Sequence, residues 1–441
     1  MVKQVSGKWR IMLTGLSGVI ALTLATMWGC GNSGYDNPSD DAVTTKTATA
    51  LIQAGDLKQW MDTGLVNKSG GFDRVVVVEV SAETNYNGAH IPGAQLVSLS
   101  GDLSESRYEG PMQTGAMAPS GTKMDALIQK LGIDANTTIV FTTSATDLGA
   151  SNTYYLTRGY AVFRYWGFPK NRLKVLDGGN KGWTDHGYAL TTAIPTISKS
   201  TYCVTPNNVS RVRSDLRASL TDMIGAVTAG TTTNDFIDGR SDTIAGPTSD
   251  LIDSTTPTKY VVFEGTVSGG RTYSHVNLID ATTKKFKPIA DIKTGLNIPV
   301  TASSVYTLCR AGNIASAMFF AIDGYAYYNE VEAGTLKAVW YDGSWGQWGL
   351  LASSDKVGTS TTNAGGQLAV GSVWDTTLLT RSLTYNIDAL PARTIVTYKT
   401  RLINPAPSLA NGNQLEEADA AYRSPVTTTT TGGGSGSGGG C

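Results

Sequence analysis

The feature that most limits how this chain can fold is one succession of strand-like and helix-like segments, run through twice. In the first half, Ala50–Met61 reads as an opening helix and Val75-Val76-Val77-Val78-Glu79-Val80 as a strand. Lys123–Leu131 follows as a helix with apolar residues at 124, 127, 128 and 131, then strand Thr138–Phe141, a helix near Asn152–Arg158 and strand Leu173–Leu176. In the second half, helix Ser219–Val227 and strands Asp235–Asp238, Val305–Leu308 and Lys337–Tyr341 repeat the order. Unbroken β-branched runs need cover on both faces, and amphipathic helices between them supply it. The expected fold is therefore α/β, with two tandem domains, each a parallel sheet flanked by helices.

The chemistry concentrates at the end of one of these strands. Cys309-Arg310-Ala311-Gly312-Asn313-Ile314 follows Val305–Leu308 and runs straight into the helix-forming Ala317-Met318-Phe319-Phe320. A cysteine at the mouth of a tight, glycine-containing loop that opens a helix faces backbone N–H groups and the positive end of that helix. Both favour the thiolate, which is the nucleophilic form. Arg310, second in the loop, should look toward the mouth of the site and bind an anion through charge-assisted bonds.

Downstream lies Tyr341-Asp342-Gly343-Ser344-Trp345-Gly346-Gln347-Trp348. Together with the loop it resembles the two-domain rhodaneses, the thiosulfate and 3-mercaptopyruvate sulfurtransferases. In that family a Cys-Arg-x-Gly-x-Thr loop carries the transferred sulfur as a persulfide. Cys309, Arg310 and Gly312 match, while Ile314 stands where a hydroxyl residue is usual. Phe236-Ile237-Asp238-Gly239-Arg240 resembles the family's strand ending in Asp-x-Arg. Gly270-Arg271-Thr272-Tyr273-Ser274-His275-Val276-Asn277-Leu278 is similar to a degraded Gly-His-Ile-Pro-Gly-Ala-Val-Asn-Leu, with Arg271 in place of its histidine.

The first half carries a second copy, with Gly88-Ala89-His90-Ile91-Pro92-Gly93-Ala94 and Val175-Leu176-Asp177-Gly178-Gly179. At the loop position it reads Thr142-Thr143-Ser144-Ala145-Thr146-Asp147 and has no cysteine. The resemblance covers roughly residues 55–350. It implies Cys309 as the catalytic residue, with Arg310, Ala311, Gly312, Asn313, Ile314, Arg240 and Arg271 as the substrate-binding set. It also implies a small sulfur-containing anion as donor, a thiol or cyanide as acceptor, and no cofactor. His90 reads as a structural histidine beside Pro92. Trp345 and Trp348 read as packing for the loop.

Composition bounds the rest. A formal charge of −1 over 441 residues offers no field for nucleic acid. Three histidines and four cysteines without paired ligand spacing give no metal site. Lys3, Lys8 and Arg10 followed by the apolar run Ile11–Met27 read as a secretory signal over residues 1–30. The Gly29-Cys30 junction resembles a bacterial lipoprotein cleavage site, which implies lipidation at Cys30 and an outer-membrane lipoprotein of the cell envelope with protein partners there. Residues 31–48 are the expected tether, 50–195 the first domain and 205–354 the second. A β-rich extension (355–405) and a linker with a Gly/Ser-rich disordered tail (406–441) complete the chain. Cys203 reads either as a resolving thiol for Cys309 or as a partly buried linker cysteine.

Two functions are compatible with these residues. One is an exported sulfurtransferase working through a Cys309 persulfide. The other is a non-catalytic rhodanese-fold lipoprotein acting as a binding or assembly component of the envelope.

Overall fold

Strands buried along nearly their whole length occur in two sheets of this chain. The computed structural model describes residues 45–110, 112–149, 151–204, 212–245, 264–352, 374, 376, 378–380 and 413–423. The strands are β1 (Leu51–Ile52), β2 (Arg74–Val80), β3 (Gln95–Val97), β4 (Glu105–Glu109), β5 (Met112–Met117), β6 (Thr137–Thr142) and β7 (Leu173–Leu176). The second half adds β8 (Asn234–Asp238), β9 (Arg271–Thr272), β10 (Ser304–Leu308) and β11 (Lys337–Trp340). The helices used below are α1 (Ala54–Asp62), α2 (Gly121–Lys130), α3 (Tyr154–Tyr165), α4 (Gly179–Asp185), α5 (Leu220–Ala229), α6 (Ile289–Leu296), α7 (Asn313–Phe320), α8 (Ser344–Ala352) and α9 (Gln414–Arg423).

The first sheet has the order β1-β7-β6-β2-β3 and the second β11-β10-β8-β9. Every pairing within them is parallel. Where β1 lies beside β7 in the first sheet, a parallel bridge from Arg217 to Trp340 takes the same place beside β11. The two sheets are one design used twice. Val75–Val78 and Val80 are all buried, as a strand with helices on both faces requires. Helix α2 turns Met124, Leu127 and Ile128 inward at helical spacing. Ser219 starts α5 with a capping box closed by Asp222.

The halves are joined through their post-loop helices. Tyr160 of α3 meets Phe320 of α7 edge-on, with ring centroids 5.0 Å apart. Arg164 reaches across to Asp323 at 3.0 Å, and Tyr160 donates to the same carboxylate at 2.5 Å. Burial alone would raise the Asp323 carboxyl. Arg164, Lys170 and the Tyr160 hydroxyl more than offset that and hold it below the usual carboxylate range. An antiparallel pair, β4 and β5, extends from the first half onto the second. There the Glu109 carboxylate accepts from the Leu220 amide at 3.2 Å and from Gln347 at 2.8 Å.

Two expectations need correction. Leu51–Ile52 is a strand and not the start of a helix, because these residues pair with Val175 and Leu176 at the sheet edge. Residues 414–423, expected to be linker, form helix α9. Its inner face places Leu415, Glu416 and Asp419 in the interior, where Asp419 takes a bidentate pair from Arg107 at 2.8 and 2.7 Å and a bond from Tyr165 at 2.7 Å. Glu416 pairs with Arg217. The expected strands in 367–370, 382–387 and 394–398, the segment 1–44 with Cys30, and the tail after 423 lie outside the described residues.

Candidate active site

Strand β10 is central in its sheet, so its C-terminal end opens at the crevice where parallel α/β sheets hold their ligands. Cys309 sits there. The turn that follows needs Gly312 at φ 76°, and a Cβ at that position would lie 2.4 Å from the Asp342 carbonyl oxygen. No other residue fits this approach.

The loop is held from below by the Asp342–Trp345 segment. Ser344 Oγ accepts the amide N–H groups of Cys309 and Gly312, each at 3.1 Å, and donates to the Tyr341 carbonyl at 2.7 Å. It lies 3.9 Å from Cys309 Sγ. Trp340 Nε1 donates to the Gly312 carbonyl at 3.0 Å, and the amides of Trp345 and Gly346 bond the carbonyls of Cys309 and Arg310. One of the loop amides expected to face the sulfur, that of Gly312, is therefore bonded to a serine hydroxyl, as is the amide of Cys309 itself. Ser344 itself sits at φ 52°, a left-handed conformation that costs a non-glycine residue about 1 kcal/mol or more.

Cys309 is a free thiol, 1% exposed, on the wall of a cleft of about 590 Å³. The second half contributes Cys309, Arg310, Ala311, Asn313 and Ile314 to the lining. The first half contributes Leu99, Ser100, Ser104, Glu105, Ser106, Ala116 and Tyr154. The site thus belongs to both halves. Asn313 Oδ1, Ser104 Oγ and Arg310 Nε are buried around it without a hydrogen-bond partner, which is the condition of groups awaiting a polar ligand.

Of the arginines expected to bind substrate, the structure brings one to the cleft. Arg310 lines it with its side chain 28% exposed, and one Nη pairs with Glu264. Arg240 is buried and committed: Nε and Nη2 bond Asp238 at 2.9 and 2.7 Å, Nη1 bonds Glu264 at 2.6 Å, and Nη2 also bonds the Gly265 carbonyl. It organises the strand end and does not face the cleft. Arg271 is farther away, in a two-bond pair with Asp235 at 2.9 and 2.5 Å on the edge strand β9. Both expectations of substrate contact are corrected, since a carboxylate neighbour takes up each guanidinium.

Cys203 is disulfide-bonded, so it is not a resolving thiol for the free Cys309. His90 is buried, stacked on Tyr86 at 3.9 Å, with ring nitrogens 2.8 and 3.1 Å from the carbonyls of Tyr86 and Ala193. Among the described residues no group of three or more His, Cys, Asp or Glu is arranged to hold a metal ion.

Sequence reasoning did not find Glu264 or Ser344. Glu264 lies in no recognisable motif. Burial raises its carboxyl above the ordinary range, against the pull of Arg240 and Arg310. Ser344 was in plain view in the Asp-Gly-Ser-Trp segment, and its left-handed backbone was the part that could not be read.

A parallel α/β sheet that presents a cysteine loop at its strand end, beside a second half of like design, is the architecture of the rhodanese fold. Comparison with known proteins agrees. Residues 53–186 match the rhodanese-like domain family. It is 24% identical over 287 residues to a Haloferax volcanii protein named "Putative thiosulfate sulfurtransferase", covering 64% of this chain and 87% of that one. It is 25% identical over 282 residues to the sulfur carrier protein TtuD of Thermus thermophilus, covering 63% and 89%. Among solved structures, Tum1 of Saccharomyces cerevisiae superposes with a TM-score of 0.50 at 17% identity, over 68% of this chain and 94% of that one. An anaerobic ergothioneine biosynthesis enzyme from Chlorobium limicola gives 0.50 at 18%, over 68% of each. The structural likenesses establish the fold, and the named relatives support sulfur transfer as the general chemistry.

Proposed function

We propose that this protein moves sulfane sulfur from a small anionic donor of the thiosulfate type to a thiophilic acceptor, through a persulfide on Cys309. The Cys309 thiolate attacks the outer sulfur of the donor. The donor's S–S bond breaks, its electron pair leaves on sulfite, and a new S–S bond forms at Cys309. Attack on that outer sulfur by cyanide or a thiolate removes it and restores the Cys309 thiolate. No further oxidant or reductant is needed.

The observation that carries this reading is the free Cys309 at the strand end, on a cleft lined by both halves, with its loop tied by Ser344. Arg310 Nε and the hydroxyl of Ser104 are the donors available to an anion there. Because Glu264 already holds one Nη of Arg310, the donor meets a guanidinium that is partly neutralised, and the Michaelis constant should be high and sensitive to salt.

The cell envelope is the proposed location, with Cys30 as the lipidated residue and envelope proteins as partners. The reading rests on the charged start, the apolar run and the Gly29-Cys30 junction. Among the described residues no helix is long and apolar enough to cross a membrane. Detergent partitioning of wild type and Cys30→Ala checks the anchor: equal solubility of the two removes it.

The test of function is the mass of the intact protein and of its Cys309 peptide after incubation with thiosulfate. A gain of one sulfur on Cys309, discharged by cyanide, is expected. No adduct from thiosulfate, polysulfide or 3-mercaptopyruvate would sink the proposal and favour a binding role. Comparing thiosulfate with 3-mercaptopyruvate on wild type and Arg310→Gly then decides whether Arg310 selects the donor.

A further inference from the structure

The buried arginines of this protein nearly all have carboxylate partners. Arg164 has Asp323, Arg217 has Glu109, Asp342 and Glu416, and Arg240 has Asp238 and Glu264. Among the described residues Arg158 is the exception. It stands on α3 of the cysteine-less half and is fully buried. Its Nε donates to the Leu103 carbonyl at 3.1 Å and its Nη2 to the Ala116 carbonyl at 2.7 Å, while Nη1 has no hydrogen-bond partner. Among the described residues no carboxylate oxygen comes within ion-pairing distance of it. Leaving a guanidinium buried on carbonyls alone is costly, and such an arrangement persists where the charge has a use.

Its neighbours say where the charge is directed. The guanidinium lies over the Trp340 ring, 4.5 Å from the centroid, and the same indole donates to the Gly312 carbonyl in the cysteine loop. Ala116, which Arg158 holds, lines the cleft at a left-handed φ of 57°, and Ser104, next to the other bonded carbonyl, lines it too. The adjacent Thr157 bonds Ser316 of α7 at 3.2 Å, fixing α3 against the helix that the loop opens. The other cations near the loop are balanced: the buried Arg240 and the partly exposed Arg310 face Asp238 and Glu264.

We propose that Arg158 is a positioning residue of the sulfur-transfer site: it holds the first-half wall of the cleft and supplies, from behind the loop, a positive charge without an ion-pair partner among the described residues, which supports an anionic sulfur on Cys309. This rests on Cys309 being the sulfur carrier. The cysteine-less half is then part of the chemistry, since it contributes the counter-charge as well as a wall. Burial pulls the Arg158 guanidinium down to about 10, so it remains a cation at neutral pH, and the Cys309 and Asp342 charges pull it the other way. A role as counter-charge to Asp342 alone is the competing account.

The test is alkylation of Cys309 in the full chain, read on its peptide, with neutral iodoacetamide and anionic iodoacetate as functions of pH. Arg158→Met should slow alkylation at neutral pH by about tenfold, move the profile to higher pH and slow iodoacetate more than iodoacetamide. Arg158→Lys should keep most of the wild-type profile. Arg158→Met with a wild-type profile and reagent ratio, even if less stable, overturns the proposal in favour of the Asp342 role. Should that variant fail to fold, Arg310→Gln serves instead. Iodoacetate should remain competitive with iodoacetamide there, because Arg158 is still present, and collapse of the iodoacetate rate on loss of Arg310 alone overturns the proposal. Alkylation needs no sulfur donor. A wild-type protein that alkylates as described but never gains sulfur therefore counts against sulfur transfer and leaves Arg158 standing.

Discussion

Strands β6 and β10 occupy the same place in their sheets, and the residues that follow them decide what each half can do. After β6 the chain reads Thr143-Ser144, and after β10 it reads Cys309-Arg310. Beneath them lie Asp177-Gly178-Gly179 in one half and Asp342-Gly343-Ser344 in the other. Gly179 has φ 56° and Ser344 has φ 52°, so both turns are left-handed at that position, although Gly178 before it is left-handed as well and Gly343 is not. The first half uses the residue that adopts this conformation freely. The second carries a side chain there despite the strain, because its hydroxyl is what the cysteine loop is tied to. The loop of the first half is closed by its own hydroxyls: Thr143 donates to the Val80 carbonyl at 2.7 Å and Ser144 caps the following turn. A difference of a few side chains at matching positions separates a loop that only folds from a loop that presents a thiol.

The sharpest way to break this comparison is to exchange the nucleophile. Cys309→Ser should abolish sulfur transfer while changing stability by no more than about 1 kcal/mol. Adding Thr143→Cys to it should restore nothing, because no serine at 179 ties that loop. Turnover by Cys309→Ser would remove Cys309 from the chemistry, and turnover restored by Thr143→Cys would show that the two loops are interchangeable.

Next in size is the contact that holds the halves together. Asp323→Ala leaves Arg164 buried without its partner and should lower stability by roughly 3–5 kcal/mol in chemical denaturation. The pH dependence has a definite sign. The folded-state carboxyl of Asp323 lies below its unfolded value, so its contribution is complete above about pH 4 and is lost as pH falls further. Asp323→Asn should lack that acid loss, and an unchanged acid profile would mean the pair is not what ties the halves.

A smaller effect separates the sheets at matching positions. Lys174 in β7 stands where β11 has Val339. Burial pulls its amine down to about 8, and Nζ donates to Thr47 at 2.7 Å. Because the folded value is below the unfolded one of about 10.4, the folded state bears the cost of the buried charge below pH 8 and sheds it as pH rises toward 10. Wild type should gain roughly 2–3 kcal/mol across that window, and Lys174→Met should gain none of it.

The finest test lies at the paired left-handed positions. Gly179→Ala meets the Thr143 carbonyl oxygen 2.8 Å from its new Cβ and should cost about 1–2 kcal/mol. Ser344→Gly relieves strain but strands two amide donors, for a net loss of about 1 kcal/mol and slower alkylation of Cys309. If Ser344→Gly alkylates at the wild-type rate, the hydroxyl does not organise the loop.

Much of this was legible in the sequence, for identifiable reasons. Val75–Val80 and Val305–Leu308 announce buried parallel strands by composition alone, and Cys309 stands out because few residues can do its chemistry. Arg240 and Arg271 were misplaced because a sequence shows a charge without its partner. Asp238, Glu264 and Asp235 decide what those guanidinia are free to do, and two of these contacts cross tens of residues. Arg158 left no mark, being one cation in an otherwise unremarkable helix. Helix α9 was hidden because its anchors, Arg107, Tyr165 and Arg217, lie hundreds of residues upstream.

The halves also exchange backbone bonds. Asp177 Oδ1 accepts the Phe286 amide from the second half at 2.7 Å, and Asp342 Oδ2 accepts the Ala118 amide from the first, also at 2.7 Å. Asp342 is at the same time the residue against which Gly312 packs. Widening the crevice by the length of one hydrogen bond would release Asp342 from its hold on the other half, while Arg217 still pairs with it from its own. The tie between the halves and the support of the cysteine loop are thus one carboxylate residue, so the first half is anchored directly under the nucleophile.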